Sequence, residues 1–184
     1  MRIISGSARG RKLISPEGFD VRPTTDKVKE SMFNILRFEL DSAKVLDLFA
    51  GTGQLGIEAL SSGAARAVFV DSSKKSLDTV RQNIELSGFS SFSSAVLSDA
   101  LRFLETTAEK FDVVLLDPPY HHGLCDKAFE LLPRVLNDGA VVLCETQADE
   151  VLPASFGNWS IDREYKYSAI RLTVYRQTEQ GGVL

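Results

Sequence analysis

Five short apolar runs that alternate with helical stretches are the feature that most limits how this chain can fold. The spacing predicts strands at residues 45–49, 67–71, 92–97, 113–116 and 140–145. It predicts helices between them at residues 54–61, 73–86, 100–106 and 124–136. Strands that alternate with helices are typical of βαβ units, which build a parallel sheet. We therefore predict an α/β fold with a central, mostly parallel sheet and helices on both faces.

The C-terminal part of the chain departs from this alternation. Residues 159–167 and 169–176 are rich in β-forming side chains, and no helical pattern separates them. We expect these two segments to form an antiparallel hairpin that adds to the sheet at or near its edge.

The N-terminal part is predicted as a small β-hairpin arm. Residues 2–4 and 12–14 are short strand candidates around a glycine-rich turn. The threonines and the aspartate at 24–26 offer caps for a first helix, which would bury Val28, Met32, Ile35, Leu36 and Leu40 on one face. We divide the chain into a basic arm, residues 1–25, and a single domain, residues 26–184.

Charge is unevenly distributed along the chain, although its formal net charge is only -4. Residues 1–29 hold seven basic and three acidic side chains and carry +4, whereas the remainder carries -8. A local basic surface can bind a polyanion in spite of an acidic total. The alternative is that these charges belong to a solvated tail.

Several classes of protein are disfavoured by composition. No apolar run approaches the roughly 20 residues of a membrane span, and the N-terminus lacks the apolar core of a secretory signal. Cys125 and Cys144 are the two cysteines, which favours a reduced, cytoplasmic setting. His121, His122 and Cys125 have no fourth ligand at a suitable spacing, so we predict no metal site.

The sequence Asp117-Pro118-Pro119-Tyr120 directly follows one of the predicted buried strands. Prolines stop a strand, and open α/β sheets bind their ligands at the carboxyl ends of strands. An acid and rigid carbonyls can accept both hydrogens of an exocyclic amine while a tyrosine stacks on the ring that carries it. The motif therefore favours a site for a planar, amine-bearing base. The alternative is a loop whose aspartate caps the next helix.

Residues 47–56 join the first body strand to its helix through a glycine loop, and residues 51–56 satisfy the pattern G-x-G-x-x-G. Asp71 lies 20 residues after Gly51 and can accept hydrogen bonds from ribose hydroxyl groups. This spacing fits a dinucleotide site, which keeps a nicotinamide-dependent oxidoreductase open as an interpretation. Asp47 stands before the loop, however, and its charge would repel a pyrophosphate but favour a cationic group. Asp99, after the third strand, is a candidate for an adenine amine or a helix cap.

In this order, the motifs resemble class I S-adenosylmethionine-dependent methyltransferases, and more narrowly the RsmD-type methyltransferases that modify guanine N2 in small-subunit ribosomal RNA. The matching segments cover nearly the whole chain: RIISG at 2–6, RGRKL at 9–13, VRPTTD at 21–26, VLDLFAGTG at 45–53, LGIEAL at 55–60 and RLTVYR at 171–176. Each segment is weak by itself, but their joint order is specific. The chain departs from the family at Gln54, at Asp71 in place of the more usual glutamate, and at residues 167–169.

The resemblance implies a Rossmann-like class I methyltransferase fold and a set of site residues. The implied catalytic residues are Asp117, Pro118, Pro119 and Tyr120. The implied cofactor-binding residues are Asp47, Phe49, Ala50, Gly51, Thr52, Gly53, Asp71, Ser72, Asp99, Ala100 and Asp117. The implied RNA-binding residues are Arg2, Arg9, Arg11, Lys12, Arg22, Thr24 and Tyr120.

The resemblance also implies the cofactor and partners. S-adenosylmethionine would be converted to S-adenosylhomocysteine without a metal, and the partner would be 16S ribosomal RNA in the small subunit or its assembly intermediate. We expect a cytoplasmic monomer. The open alternatives are an amino-methyltransferase of DNA or of another RNA, the oxidoreductase, and a non-catalytic RNA-binding assembly factor.

Overall fold

The computed structural model describes residues 1–15, 26–118 and 124–178, and one sheet of eight strands forms the centre of this part of the chain. The strands are β1 Lys44–Asp47, β2 Arg66–Asp71, β3 Ser93–Leu97, β4 Phe111–Leu116, β5 Leu136–Gln147, β6 Ser155–Phe156, β7 Trp159–Tyr167 and β8 Ile170–Gln177. The α-helices are α1 Asp26–Ile35, α2 Gln54–Ser61, α3 Lys74–Ser87, α4 Ala100–Thr106 and α5 Leu124–Leu131. Short 3-10 turns occupy Ser90–Phe92 and Leu132–Arg134.

The strand order is β3-β2-β1-β4-β5-β8-β7-β6. Strands β1 to β5 are parallel, whereas β8 pairs antiparallel with β5 and β7 pairs antiparallel with β8. The predicted fold class, with its C-terminal hairpin, is confirmed. The chain runs outward from β1 to β3 and then returns to β4, so the order reverses between β1 and β4. Ligands of open α/β sheets bind beside such a reversal.

Alternate residues of the central strands face two separate cores. Val45 and Leu115 point to the face covered by residues 1–15 and helices α1, α2 and α3. Leu46 and Leu116 point to the opposite face, which α4 and α5 cover. Strands buried on both faces read as continuous apolar runs, which is why they were recognisable in the sequence.

The predicted helix at 124–136 is wrong at its end. Helix α5 stops at Leu131, and Pro133 stands in the 3-10 turn that follows. Proline has no N–H to donate inside a helix and clashes with the preceding turn. Strand β5 then begins at Leu136, opposite Phe111, and is longer than the predicted 140–145.

Residues 1–15, which we call the N-terminal segment, fold back on themselves and are docked on the body, but one isolated bridge replaces the two strands predicted at 2–4 and 12–14. An antiparallel bridge joins Arg2 to Lys12, and Ile3 and Leu13 are buried in the same core as α1 to α3. The Ile4 N–H donates to Glu58 Oε1 on α2 at 2.7 Å. The basic segment is therefore fixed against the body by its buried apolar side chains and by polar contacts with α2.

No helix among the described residues is both long enough and apolar enough to cross a membrane.

Candidate active site at the carboxyl edge of the sheet

Four acidic residues lie at the carboxyl ends of four neighbouring strands. Asp71 ends β2, Asp47 ends β1, Asp117 follows β4, and Glu145 lies near the end of β5. Asp47 pairs in register with Leu115, and Leu116 with Cys144, so the last three acids share one end and one face of the sheet. Asp47 and Glu145 are buried, and Asp117 is half-buried. Sequence reasoning selected all of these except Glu145.

Asp47 is a buried carboxyl group with one backbone partner. Its Oδ2 accepts a hydrogen bond from Gly56 N at 2.9 Å. Burial raises the pKa of Asp47 to about 7, the Gly56 hydrogen bond opposes this rise, and the charge of Asp71 adds to it. Because desolvation disfavours the charged form, a cation that arrives beside Asp47 would be favourable.

The glycine loop, residues 51–53, is held by the second acid. Asp71 Oδ2 accepts from Gly51 N at 2.8 Å, and its Oδ1 accepts from Ser73 N at 2.8 Å. Gly51 and Gly53 have φ values of 54° and 77°, in the left-handed region that favours glycine. A Cβ at Gly51 would meet nothing nearer than 4.0 Å, so the loop presents bare backbone to the edge of the sheet.

An open cleft of about 550 Å³ lies beyond the loop, between the ends of β2 and β3 and helix α4. Asp99 contributes to the cleft, and it also caps α4, because its Oδ1 accepts from Arg102 N at 3.1 Å. The helix cap that the sequence suggested for Asp99 is thus present. The other carboxylate oxygen of Asp99 takes no part in the capping hydrogen bond. The residues that line the cleft are Ser72, Val96, Leu97, Ser98, Asp99, Arg102, Phe103 and Thr106. Ala100 is buried at the first position of α4.

Asp117 and Pro118 close the site on the β4 side. Burial raises the pKa of Asp117 well above its ordinary value, and the charges of Glu145 and Asp47 raise it further. Pro118 is buried. The other two members of the motif, Pro119 and Tyr120, lie outside the described residues. Within the described ranges, no group of three or more metal-ligating side chains is close enough to hold an ion.

The predicted RNA-binding residues of the N-terminal segment are Arg2, Arg9, Arg11 and Lys12, and all four are exposed. Arg2 forms an ion pair with Asp26 at 3.2 Å. Arg11 Nη1 donates to the Ser87 carbonyl at the end of α3, at 2.6 Å. Arg22 and Thr24 lie outside the described residues.

Two buried polar residues at this edge were missed by sequence reasoning. Glu145 follows the same strand-end rule that selected Asp117, and an explicit search of each strand end for acids would have found it. Asn83 lies within α3, where an asparagine carries no sequence signal of its own, yet it is completely buried. Its contacts with the glycine loop depend on how α3 packs, which the local sequence does not show.

Comparison with known proteins places the chain in a family. A protein-family model, Conserved hypothetical protein 95, matches residues 1–176. Ribosomal RNA small subunit methyltransferase D of Escherichia coli (strain K12) is 35% identical over 183 residues, which cover 98% of this chain and 92% of that protein. The Haemophilus influenzae protein of the same name is also 35% identical, over 96% of this chain and 93% of its own length.

Solved structures show the same architecture. The Escherichia coli protein yhhF, for which methyltransferase activity has been suggested, superposes with a TM-score of 0.87 at 35% identity, covering 98% of this chain and 99% of that one. An RNA methyltransferase from Salinibacter ruber in complex with S-adenosyl-L-homocysteine has a TM-score of 0.68 at 20% identity, covering 86% and 95%, and supports the fold alone. Since the family model and relatives at this identity span nearly the whole chain, the chain belongs to the RsmD family of class I methyltransferases.

Proposed function

We propose that this protein transfers a methyl group from S-adenosylmethionine to the exocyclic N2 of a guanine in 16S ribosomal RNA. The observation that carries the proposal is Asp117-Pro118 at the carboxyl end of β4, next to buried Asp47 and the glycine loop. The relatives named ribosomal RNA small subunit methyltransferase D support ribosomal RNA as the substrate. The choice of guanine N2 rests on the resemblance of the sequence motifs.

The residues at the sheet edge fit S-adenosylmethionine in chemistry and space. Buried Asp47 has a pKa raised to about 7 and gains from a nearby cation, which an α-ammonium or a sulfonium group supplies. Each Asp71 oxygen accepts one backbone N–H and has a further lone pair for a ribose hydroxyl. The cleft beside Asp99 leaves room for adenine. The residues proposed to hold the cofactor are Asp47, Phe49, Ala50, Gly51, Thr52, Gly53, Asp71, Ser72, Asp99, Ala100 and Asp117.

When bound, S-adenosylmethionine supplies an electrophilic methyl carbon on a positively charged sulfur. Asp117 and the Pro118 carbonyl accept hydrogen bonds from the target amine and so direct its lone pair at that carbon. Such positioning can lower the activation free energy by several kcal/mol, out of the ~7–11 kcal/mol that positioning of reactants can supply. Pro119 and Tyr120 are proposed to complete the pocket, with Tyr120 stacking on a base rotated out of its RNA context.

The electron pair of the N2 nitrogen forms the new N–C bond, and the electrons of the broken C–S bond go to sulfur. Positive charge then appears on nitrogen, which must lose a proton. Asp117, which accepts a hydrogen bond from the amine in this arrangement, and water are the two candidate acceptors of that proton; burial raises the pKa of Asp117 and so makes its carboxylate a stronger base than an ordinary aspartate. The neighbouring charges of Glu145 and Asp47 contribute to this basicity.

RNA is proposed to bind along the N-terminal segment through Arg2, Arg9, Arg11 and Lys12, and Arg22 and Thr24 are proposed to contribute to RNA binding as well. Contacts of this kind go to phosphates and position the RNA without reading its sequence. The proposed partner is the small ribosomal subunit or its assembly intermediate. We also propose that the protein acts in the cytoplasm as a monomer.

A methylation assay tests this function. Purified protein with methyl-labelled S-adenosylmethionine is incubated with 16S RNA, unmodified small subunits and assembled ribosomes, and the RNA is digested to nucleosides. We expect label in N2-methylguanosine, with one of the three substrates preferred. Label that appears only in DNA or protein, or on a different base, would overturn the proposal. Calorimetry with NAD and with S-adenosylmethionine distinguishes this proposal from the oxidoreductase alternative. An oxidoreductase should bind NAD and not S-adenosylmethionine.

A further inference from the structure

Asn83 makes three hydrogen bonds that join two distant segments of the chain. Its Nδ2 donates to the Thr52 carbonyl at 2.9 Å and to the Ile14 carbonyl at 3.1 Å. Its Oδ1 accepts from Ile14 N at 2.7 Å. The Asn83 side chain is 0% exposed, so its amide group is shielded from water in all three bonds. Thr52 lies in the middle of the glycine loop, and Ile14 lies near the end of the N-terminal segment.

The amide group of Asn83 is chemically matched to this position. It offers two N–H donors and one carbonyl acceptor, and each has a backbone partner. A carboxylate of the same size could not donate to either carbonyl. A shielded carbonyl that loses a hydrogen-bond partner is costly, so Asn83 contributes to the position of both segments beside their other contacts.

The beginning of the N-terminal segment contacts the same loop region. Thr52 Oγ1 lies 3.7 Å from Met1 Sδ in hydrogen-bonding geometry, and Gln54 Nε2 donates to the Arg2 carbonyl at 3.5 Å. Both ends of the segment are therefore connected to the glycine loop or to the first residue of α2. Of these connections, only the one through Asn83 is made by a fully buried side chain with three partners.

We propose that Asn83 is a positioning residue that couples RNA binding at the N-terminal segment to cofactor binding at the glycine loop. This inference rests on the proposed function, which assigns RNA to the segment and S-adenosylmethionine to the loop. Ordering of either segment by its ligand would order the other through the shared amide. Coupling between two binding sites is reciprocal, so each ligand would tighten the other by the same factor.

The test measures the affinity for S-adenosylhomocysteine, by calorimetry, without RNA and with saturating 16S RNA. In the wild-type protein we expect RNA to tighten this binding by about fivefold or more. Asn83→Asp should weaken binding roughly 5- to 100-fold in the absence of RNA, because both donors are lost. It should also abolish the enhancement by RNA.

Gln82→Glu is the matched control, since it makes the same amide-to-carboxylate change one residue away on the exposed side of α3. The control should keep both the affinity and the enhancement. In steady-state assays Asn83→Asp should raise the KM for S-adenosylmethionine much more than it lowers kcat, whereas a general loss of folding would lower the active fraction at every cofactor concentration.

Hydrogen exchange on the wild-type protein tests the coupling without any substitution. RNA should slow amide exchange in residues 50–54 when no cofactor is present. An absence of this protection, or an Asn83→Asp protein that keeps the full enhancement, would overturn the inference. If the wild-type protein methylates RNA and yet shows neither effect, only this inference fails; if it binds no S-adenosylhomocysteine at all, the proposed function itself fails.

Discussion

Asp47 and Asp117 lie on the same face of the sheet, and burial raises the pKa of both. A buried acid without a charged partner normally costs stability, and proteins retain such groups mainly at functional sites. In the proposed complex the missing partners arrive with the ligands: a cation beside Asp47 and an amine beside Asp117. The two residues therefore make separate, measurable predictions.

Replacing Asp117 by asparagine should abolish turnover while it leaves cofactor binding largely intact. The amide keeps the size of the side chain but is a very weak base and presents only one acceptor. We expect kcat to fall by at least about 100-fold, which is typical of a lost general base. Affinity for S-adenosylhomocysteine should stay within about threefold by calorimetry.

Asp126→Asn serves as the control for this substitution, because Asp126 is an exposed aspartate on the nearby helix α5. It should leave kcat unchanged. An Asp117→Asn protein with near-normal single-turnover rates would show that Asp117 is neither the proton acceptor nor needed to orient the amine.

The raised pKa of Asp47 predicts that cofactor binding releases a proton. In the free protein Asp47 is mostly protonated below its pKa of about 7, and a bound cation should favour its charged form. Affinity for S-adenosylmethionine should therefore rise with pH by up to tenfold per unit between about pH 5 and 7, and then level off. Calorimetry at pH 6 in buffers of different ionisation enthalpy should count close to one proton released per cofactor bound.

The raised pKa of Asp47 also makes the free energy of unfolding depend on pH. Between the ordinary pKa of 3.8 and about 7, the unfolded chain has lost the Asp47 proton while the folded protein retains it. The contribution of Asp47 to the free energy of unfolding therefore falls as the pH rises through this window and is constant above it. Asp47→Asn should remove both the proton release and this part of the pH dependence. Proton release that persists in Asp47→Asn would assign it to another group.

At the level of single elements, the sequence predicted most helices and strands of the sheet to within a residue or two. Helix α2 begins after the glycine loop and α4 after the cap at Asp99, as expected, because these signals are local. The end of α5 was wrong because the apolar pattern continues past Pro133. The contacts of Asn83 could not be predicted, since they depend on the packing of α3 against two segments distant in sequence.

Close packing of α2 on β2 through Gly56 leads to a prediction on stability. A Cβ at Gly56 would overlap the Phe69 ring. Alanine is favoured over glycine inside a helix by about 1 kcal/mol, but overpacking a core costs about 1–3 kcal/mol or more. We therefore expect Gly56→Ala to lower the free energy of unfolding by about 1–2 kcal/mol in urea denaturation.

A double-mutant cycle identifies the cause. Phe69→Leu removes ring atoms that the new methyl group would overlap, so the double variant should be more stable than the sum of the two single effects predicts. The expected coupling energy is about 1 kcal/mol. Strict additivity would mean that Gly56→Ala does not act through the Phe69 ring.

At the scale of the whole molecule, the sequence indicated the charge of the N-terminal segment but not where the segment lies. The basic excess near the N-terminus was visible from composition, and so was the acidic body. That Ile3 and Leu13 anchor the segment in the main core was not visible, since these apolar residues are few and widely spaced. A docked basic segment loses less conformational freedom when it binds RNA than a free tail would.

The docked basic segment predicts how RNA binding depends on salt. Arg9→Gln with Lys12→Gln removes two exposed charges that make no contact with the buried core. Each lost phosphate contact should lower the slope of log affinity against log salt by about 0.7–0.9, with weaker binding at every salt concentration. Arg163→Gln is the control, because Arg163 is exposed on β7, four strands away from β1 in the sheet and remote from the helices that the N-terminal segment contacts. Filter binding to 16S RNA from about 50 to 200 mM salt measures the slope. Equal slopes in the double variant and the wild type would show that the N-terminal segment does not contact RNA, and an equally lowered slope in Arg163→Gln would show that the loss is not specific to this segment.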